Sequence, residues 1–209
     1  IKKGKNIMKL ISPSSIKYIS GLSLDCVYNV QFKTRKIGEL PEPKFAGNVQ
    51  HDYIDYKYNH KATDQQALAT ALLKNKTDRT TDMTKNELDK IQHNIDFAMN
   101  YLSSKTVEIE MRVFAKYDRT YYKQAIGGTA DIVIMNDDDT ITIADFKNYN
   151  NPTTNDLLKA YYQTLVYATL VRDTHNVDIK EIQIVYPSQE QVITLPYQEV
   201  DITTIKTKY

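Results

Sequence analysis

Gly127-Gly128-Thr129-Ala130-Asp131-Ile132-Val133-Ile134-Met135, then Asn136-Asp137-Asp138-Asp139, then Thr140-Ile141-Thr142-Ile143-Ala144-Asp145-Phe146-Lys147, is the stretch on which the fold turns. Its two apolar, β-branched runs, 130–135 and 140–144, read as buried strands. The Asn-Asp-Asp-Asp between them has turn composition. The resulting hairpin carries Asp131 and Asp145 toward the same end of adjacent antiparallel strands. Lys147 lies two residues beyond Asp145 and therefore on the same strand face. Two converging carboxylates with a built-in positive charge make a site for a hard divalent cation.

Working upstream, Val107, Ile109, Met111 and Val113 alternate with Glu108, Glu110 and Arg112. This pattern predicts a half-exposed strand from Thr106, with Glu108 and Glu110 on one face and a turn through Tyr117-Asp118-Arg119. Before it, Asn86 to Leu102 repeats Leu88, Ile91, Ile95, Ala98, Met99 and Leu102 at helical spacing. Ala67 to Leu73 gives a shorter helical stretch, and Thr77 to Thr84 a polar connection. A further helix is expected from near Phe45, with Val49, Tyr53, Ile54 and Tyr58 on one side. The segment Lys33 to Lys44, with Gly38, Pro41 and Pro43, reads as a loop. Ser12-Pro13-Ser14-Ser15 before Ile16-Lys17-Tyr18-Ile19 predicts a helix start. Downstream, Pro152-Thr153-Thr154-Asn155-Asp156 starts a helix that runs to about Thr174, burying Leu157, Leu158, Tyr161, Leu165, Ala168 and Leu170. Two short strands, Ile182 to Tyr186 and Val192 to Leu195, follow. The expected fold class is α/β, with a mixed central sheet flanked by helices. It is organised as an N-terminal helical region, 1–105, and a core of sheet and helix, 106–209, in one continuous domain.

Composition narrows the functional classes. Charged residues are 25% and hydrophobic ones 41%, ordinary for a globular protein, and the net charge is +1. A uniformly basic nucleic-acid coat is therefore excluded, and any phosphate-binding surface must be local. Lys2, Lys3, Lys5 and Lys9 read as a solvated basic tail. No run is apolar enough for a membrane span or a signal peptide, so no membrane partner is expected and the protein reads as intracellular. Met8 is a candidate natural start. Cys26 is the sole cysteine, which excludes an intramolecular disulfide and every multi-cysteine metal site. It reads as a small buried hydrophobe. Sixteen tyrosines with no tryptophan, and abundant Lys, Asn and Ile, suit an AT-rich genome such as a phage or virus.

Five segments in fixed order resemble the PD-(D/E)XK nuclease superfamily and, within it, the RecB-like exonucleases. Similar proteins include the mitochondrial genome-maintenance exonuclease and nucleases of phages and large DNA viruses. The segments are Gly47-Asn48-Val49-Gln50-His51 on a helix, Glu110-Met111-Arg112-Val113 on a strand, Gly128-Thr129-Ala130-Asp131, Asp145-Phe146-Lys147, and Gln163 to Tyr167. The resemblance implies a restriction-endonuclease-like core that hydrolyses DNA phosphodiester bonds as an exonuclease or end-processing enzyme, with nucleic acid, DNA rather than RNA, as its partner. Oligomeric state does not follow from it. It implies that Asp131, Asp145 and the backbone carbonyl of Phe146 hold Mg²⁺ or Mn²⁺, and that His51 adds a nitrogen ligand. Glu110 binds a second metal or an outer-shell water. Lys147 orients the attacking water or stabilises developing charge. Gln163 and Tyr167, one helical turn apart, position the site or contact DNA. The iron–sulfur cluster of some RecB-like nucleases has no cysteines to hold it here.

Each residue also has a plainer reading. Gly127 and Gly128 suit a bulge as well as a close substrate approach. Glu108 reads as solvated, and His60, His93 and His175 as surface residues. Tyr161 and Tyr162 offer stacking surface for bases, with core packing expected for at least one. Two rival functions carry the same residues. One is an RNA endonuclease of the cap-snatching kind, which shares the His, Asp, Asp-x-Lys layout. The other is a nuclease fold retained as a non-catalytic binding module.

Overall fold

The computed structural model describes residues 9–11, 16–17, 29–30, 42–75, 83–119, 122–149, 151–200 and 206–207. Its elements run β1 (Lys9–Ile11), β2 (Ile16–Lys17), β3 (Asn29–Val30), α1 (Glu42–Tyr58), α2 (Asp64–Lys74), α3 (Lys85–Leu102), β4 (Thr106–Arg119), β5 (Tyr122–Met135), β6 (Ile141–Phe146), α4 (Thr154–His175), β7 (Ile179–Tyr186), β8 (Gln191–Pro196) and β9 (Lys206–Thr207). Cys26, Met8, the basic tail before Lys9 and most of the expected 33–44 loop lie outside the described residues.

A six-stranded mixed sheet orders its strands β1-β5-β6-β7-β8, with β4 also pairing β5. The β5–β6 hairpin is antiparallel, with Ile132 opposite Ala144. The β6–β7 pair is parallel, so the chain must cross over between them, and α4 makes that crossover. Helices α1–α3 cover one face of the sheet, where Ile91, Ile95 and Leu102 meet Ile109, Ile132, Ile134 and Phe146. On the opposite face, Leu165, Val166 and Leu170 of α4 meet Val133, Ile143, Ile182 and Ile184. All six residues of β6 are buried, as expected of a strand covered on both faces. The result is the expected α/β sandwich with a mixed sheet.

Helix starts follow the sequence closely. Thr63, Thr84 and Thr153 each cap α2, α3 and α4 with a reciprocal box, answered by Gln66, Glu87 and Asp156. The helix expected near Phe45 begins three residues earlier, at Glu42. No described helix is long and apolar enough to cross a membrane.

Three expectations are corrected. Ile16–Lys17, expected to open a helix, pairs as a strand with Asn29–Val30. Cross-strand pairing overrides the local capping signal there, while residues 12–15 and 18–19 lie outside the described set. Secondly, Tyr117-Asp118-Arg119 is paired strand and not a turn, because β4 and β5 form one hairpin of 14 residues per strand. Gly127 and Gly128 thus sit inside β5. A methyl group on Gly127 would lie 2.7 Å from Phe114 Cβ and 2.8 Å from the Val113 carbonyl, so the close approach there is between strands. Thirdly, α4 is buried at every position from Thr164 to Val171, while Leu157, Leu158 and Tyr161 are only partly buried. The end of β8 and the chain just after it cover its outer side: Tyr161 donates to the Pro196 carbonyl (2.7 Å), and the Thr169 hydroxyl lies 3.3 Å from that of Tyr197.

Candidate metal centre

Helix α1 carries Gly47 and His51 one turn apart and so on one face. A Cβ on Gly47 would lie 3.3 Å from Asn148 Cβ, which lets the helix settle close on the chain that leaves β6. One turn on, His51 reaches the strand end where the carboxylates gather. Its Nδ1 lies 3.7 Å from Glu110 Oε1 and its Nε2 3.7 Å from Asp131 Oδ2. One ligand atom each from His51, Glu110 and Asp131 falls within 4.8 Å of the others. That is the spacing at which a single cation could meet all three, and their imidazole and carboxylate donors suit a divalent metal ion.

Glu110 reaches this point through a local departure from strand geometry. It has φ of 56°, in the left-handed region, in the middle of β4. Val107 and Ile109 before it pack against α1–α3, whereas Met111 and Val113 after it pack against α4. In β5 the same change occurs between Ile132, on the α1–α3 side, and Ala130, on the α4 side, with Asp131 between them. Pairing keeps its register across the step, Ile109 with Ile132 and Met111 with Ala130. Both strands therefore switch faces at the Glu110–Asp131 rung. This corrects the expectation that Glu108 and Glu110 share a face. Glu108 pairs with Val133 and is exposed, while Glu110 turns to His51.

Asp145 follows Ala144 on β6 just as Asp131 precedes Ile132 on β5, so the two face each other one step beyond the last paired rung. Asp145 is buried, however, and lies outside the His51–Glu110–Asp131 set. Its Oδ2 forms an ion pair with Lys147 Nζ at 2.7 Å. Burial pushes its carboxyl up to about 7, against the pull of Lys147 and with a further push from Asp131. Lys147 stays charged although burial opposes it, because Asp145 and Asp131 hold its pKa above the usual lysine range. Its Nζ also donates to Gln163 Oε1 (3.3 Å) on α4.

The Phe146 peptide joins the two halves. Its N–H donates to Asp131 Oδ2 (3.3 Å), while the next N–H, of Lys147, donates the other way to the Val185 carbonyl (2.8 Å). In a planar trans peptide the Phe146 carbonyl must oppose the Lys147 N–H, so it points toward β5 and Asp131. The Phe146 ring stands edge-on to His51, with centroids 6.2 Å apart. His51 keeps 30% of its side-chain surface open. Burial lowers its pKa, but Asp131 and Glu110 outweigh that and raise it to about 9. Without a metal this is a site with negative charge in excess, which favours taking up a cation.

The remaining expected residues divide. Tyr167 is 5% exposed within the α4 core, a burial that suits a positioning role. Tyr162 is likewise core, and the exposed His60, His93 and His175 are surface residues, although His60 also lines the cleft beside His51. Two groups escaped the sequence reading. Asn94 Nδ2 donates to Asn148 Oδ1 (3.0 Å), tying the chain after Lys147 to α3. Arg112 and Thr129 line the cleft beside His51. Nothing in the sequence marks Asn94. Arg112 stood two residues after Glu110, but strand alternation assigned it to a solvent face.

Comparison with known proteins bears on this geometry. The family model described as "PD-(D/E)XK nuclease superfamily" matches residues 15–204. No curated protein matches the chain. Among solved structures, a crystal structure of SSO0001 matches at 13% identity and a TM-score of 0.35, over 74% of this chain and 66% of that one. The chain thus spans just under two thirds of that protein's length.

Proposed function

The chain belongs to the PD-(D/E)XK nuclease superfamily, and on that premise we propose that it is a metal-dependent nuclease that hydrolyses DNA phosphodiester bonds as an exonuclease or end-processing enzyme of the RecB-like kind. The observation that carries the reading is the convergence of His51, Glu110 and Asp131 beside the Asp145–Lys147 pair. His51, Glu110 and Asp131 would hold Mg²⁺ or Mn²⁺, with the Phe146 carbonyl pointing toward Asp131 and Asp145 adjoining the set. When bound, the cation supplies Lewis acidity toward the phosphate and a water of lowered pKa.

The chain's own groups do the rest. Lys147, anchored between Asp145 and Gln163, holds a fixed positive charge in a nearly closed setting, where it orients the attacking water and stabilises charge developing on the phosphate. Gln163 fixes that ammonium from α4, and this contact supports the RecB-like assignment, since it links Asp145-Phe146-Lys147 to the Gln163–Tyr167 helix. Tyr167 holds the helix in register from within the core. Phe146 and Tyr101, ring centroids 6.0 Å apart, close the apolar side of the site against water.

End-labelled single- and double-stranded DNA and RNA, incubated with Mg²⁺ or Mn²⁺, test the proposal. Cation-dependent shortening of DNA from an end, abolished by Asp145→Ala, is expected. Internal cuts in RNA with DNA untouched would favour the cap-snatching reading. Undiminished DNA cleavage by the Asp145→Ala chain would remove the proposal.

A further inference from the structure

Beside the metal centre a polar cleft of about 410 Å³ runs between α1 and β4, lined among others by His51, Asp55, Lys74, Glu110, Arg112 and Thr129. We infer that it is a phosphate subsite, in which Arg112 and Thr129 hold a phosphate of the substrate strand next to the one that is cleaved. The inference rests on the nuclease reading above and adds to it a subsite and two residues.

Three observations carry it. The first is charge. The acidic residues of the cleft already have partners: Asp52 pairs with Lys74 and accepts from Asn75 (2.5 Å), Asp55 accepts from Asn59 (2.8 Å), and Glu110 faces His51. Arg112 is exposed, and its guanidinium has no ion pair or hydrogen bond among the described residues. A guanidinium presents a planar fork of donors that matches two phosphate oxygens.

The second is placement. Arg112 and Thr129 are register partners on β4 and β5, so their side chains stand next to each other on one face. That face is the one toward His51 only because the strands switch sides at Glu110. With unbroken alternation from Ile109, Arg112 would stand on the α4 side. The left-handed residue that delivers Glu110 to the cation site therefore also delivers the guanidinium, with the Thr129 hydroxyl beside it, to the adjoining cleft.

The third is the chemistry of the walls. Every lining residue is polar or charged: His51, Asp52, Asp55, Asn59, His60 and Lys74 on the helical side, Glu110, Arg112 and Thr129 on the strands. A base needs an apolar or aromatic face to stack on, and the described walls offer only imidazoles. A phosphate needs donors and positive charge, which this cleft has. Its continuity with the metal centre through His51 and Glu110 makes the occupant a phosphate of the same strand, either an internal phosphodiester or a terminal monophosphate.

Binding of a fluorescent single-stranded DNA to the full chain in EDTA, followed by anisotropy between 50 and 200 mM salt, tests this for the parent, Arg112→Gln, Arg112→Lys and Thr129→Val. The DNA is supplied with a 5′-phosphate or a 5′-hydroxyl. Arg112→Gln should weaken binding about tenfold or more, as for loss of a charged hydrogen bond. It should also lower the slope of log K against log salt by about 0.7, one phosphate contact on a single strand. Arg112→Lys should restore the slope but only part of the affinity, and Thr129→Val should weaken binding without changing the slope. A parent preference for the 5′-phosphate that disappears in Arg112→Gln identifies a terminal phosphate; equal weakening with both ends identifies an internal one. Arg112→Gln that binds with parental affinity and slope, while melting like the parent, overturns the subsite and leaves the nuclease reading standing. A parent that binds neither strand overturns the subsite, while the nuclease reading stands or falls on the cation-dependent cleavage assay above.

Discussion

Adding Mn²⁺ to the metal-free chain should expel protons, and the number can be worked out from the geometry. Ligation needs a neutral imidazole and ionised carboxylates. In the metal-free site His51 titrates at about 9, because Asp131 and Glu110 outweigh the effect of burial, and Asp145 titrates at about 7, because burial outweighs Lys147. At pH 8 the imidazole is then roughly nine-tenths protonated and Asp145 roughly one-tenth, so about one proton leaves per Mn²⁺ bound. At pH 6 the imidazole is fully protonated and about one proton still leaves on ligation. The logarithm of the apparent affinity should therefore rise with pH by about one per unit between pH 6 and pH 8; a slope well above one toward pH 6 would place Asp145 among the ligands as well. From the sequence alone, an unbound histidine would set this dependence at about pH 6 to 7. The two carboxylates beside His51 move it upward.

Isothermal titration of Mn²⁺ in two buffers of different ionisation heat counts the protons directly. His51→Ala should remove about one of them at pH 8. The same groups fix the sign of a stability effect. Both folded pKa values are raised, so each group's contribution to the metal-free fold is complete below its unfolded value and is lost as pH rises through its folded one. The window is about 4 to 7 for Asp145 and about 6.5 to 9 for His51. Melting temperature without metal should fall across these windows, and the gain on adding Mn²⁺ should grow. A chain that binds Mn²⁺ at pH 8 yet releases no proton would refute the placement of His51 among the ligands.

Further outcomes follow from single contacts. Lys147→Ala should lower turnover by roughly two to three orders of magnitude, while Mn²⁺ affinity holds or rises, because the ammonium 2.7 Å from Asp145 no longer competes with the cation; metal titration with single-turnover rates separates the two. Tyr186→Phe should raise stability by about 1–3 kcal/mol, since Tyr186 is fully buried and its hydroxyl has no hydrogen-bond partner among the described residues; a lower melting temperature would show that the hydroxyl is satisfied after all. Gly127→Ala should cost about 1–3 kcal/mol by denaturant melting, because its methyl would meet Phe114 Cβ at 2.7 Å and backbone that cannot yield.

What the sequence revealed was whatever obeys a regular period. The β5–β6 hairpin, with Asp131 and Asp145 brought opposite each other, follows from two β-branched runs around a turn. Helix α3 follows from its apolar spacing, and the start of α4 from Thr153 and Asp156. The burial of Tyr167 was not legible, because α4 lacks a polar face and the chain covering it comes from the end of β8 and the residues after it. Nor was the full length of β4 and β5. Gly127 and Gly128 look like punctuation, yet within a paired strand a missing Cβ is what lets Phe114 come close. In each case the deciding partner is remote in sequence, and no local pattern encodes it.

Glu110 is the sharpest example, since its identity argues against its conformation. A side chain other than glycine in the left-handed region costs roughly 1–3 kcal/mol and persists only where the surroundings impose it. Here the surroundings are β5 paired in constant register on both sides of the step, and two cores that claim opposite faces of the same strand. Ile109 and Ile132 are held by α1–α3, Met111 and Val113 by α4, and the single residue between them must absorb the change of face. The consequence reaches beyond Glu110. It puts one carboxylate against His51 and leaves Asp131 within reach of both the imidazole and the Phe146 peptide. Two residues further on, it turns Arg112 out of the α4 side and into the cleft. Regular alternation would place Glu108, Glu110 and Arg112 in one row, and the cation site would lose its third ligand and its neighbouring guanidinium together. The strain at one backbone position is thus the physical link between the carboxylate that would meet the metal and the cation that would meet the next phosphate.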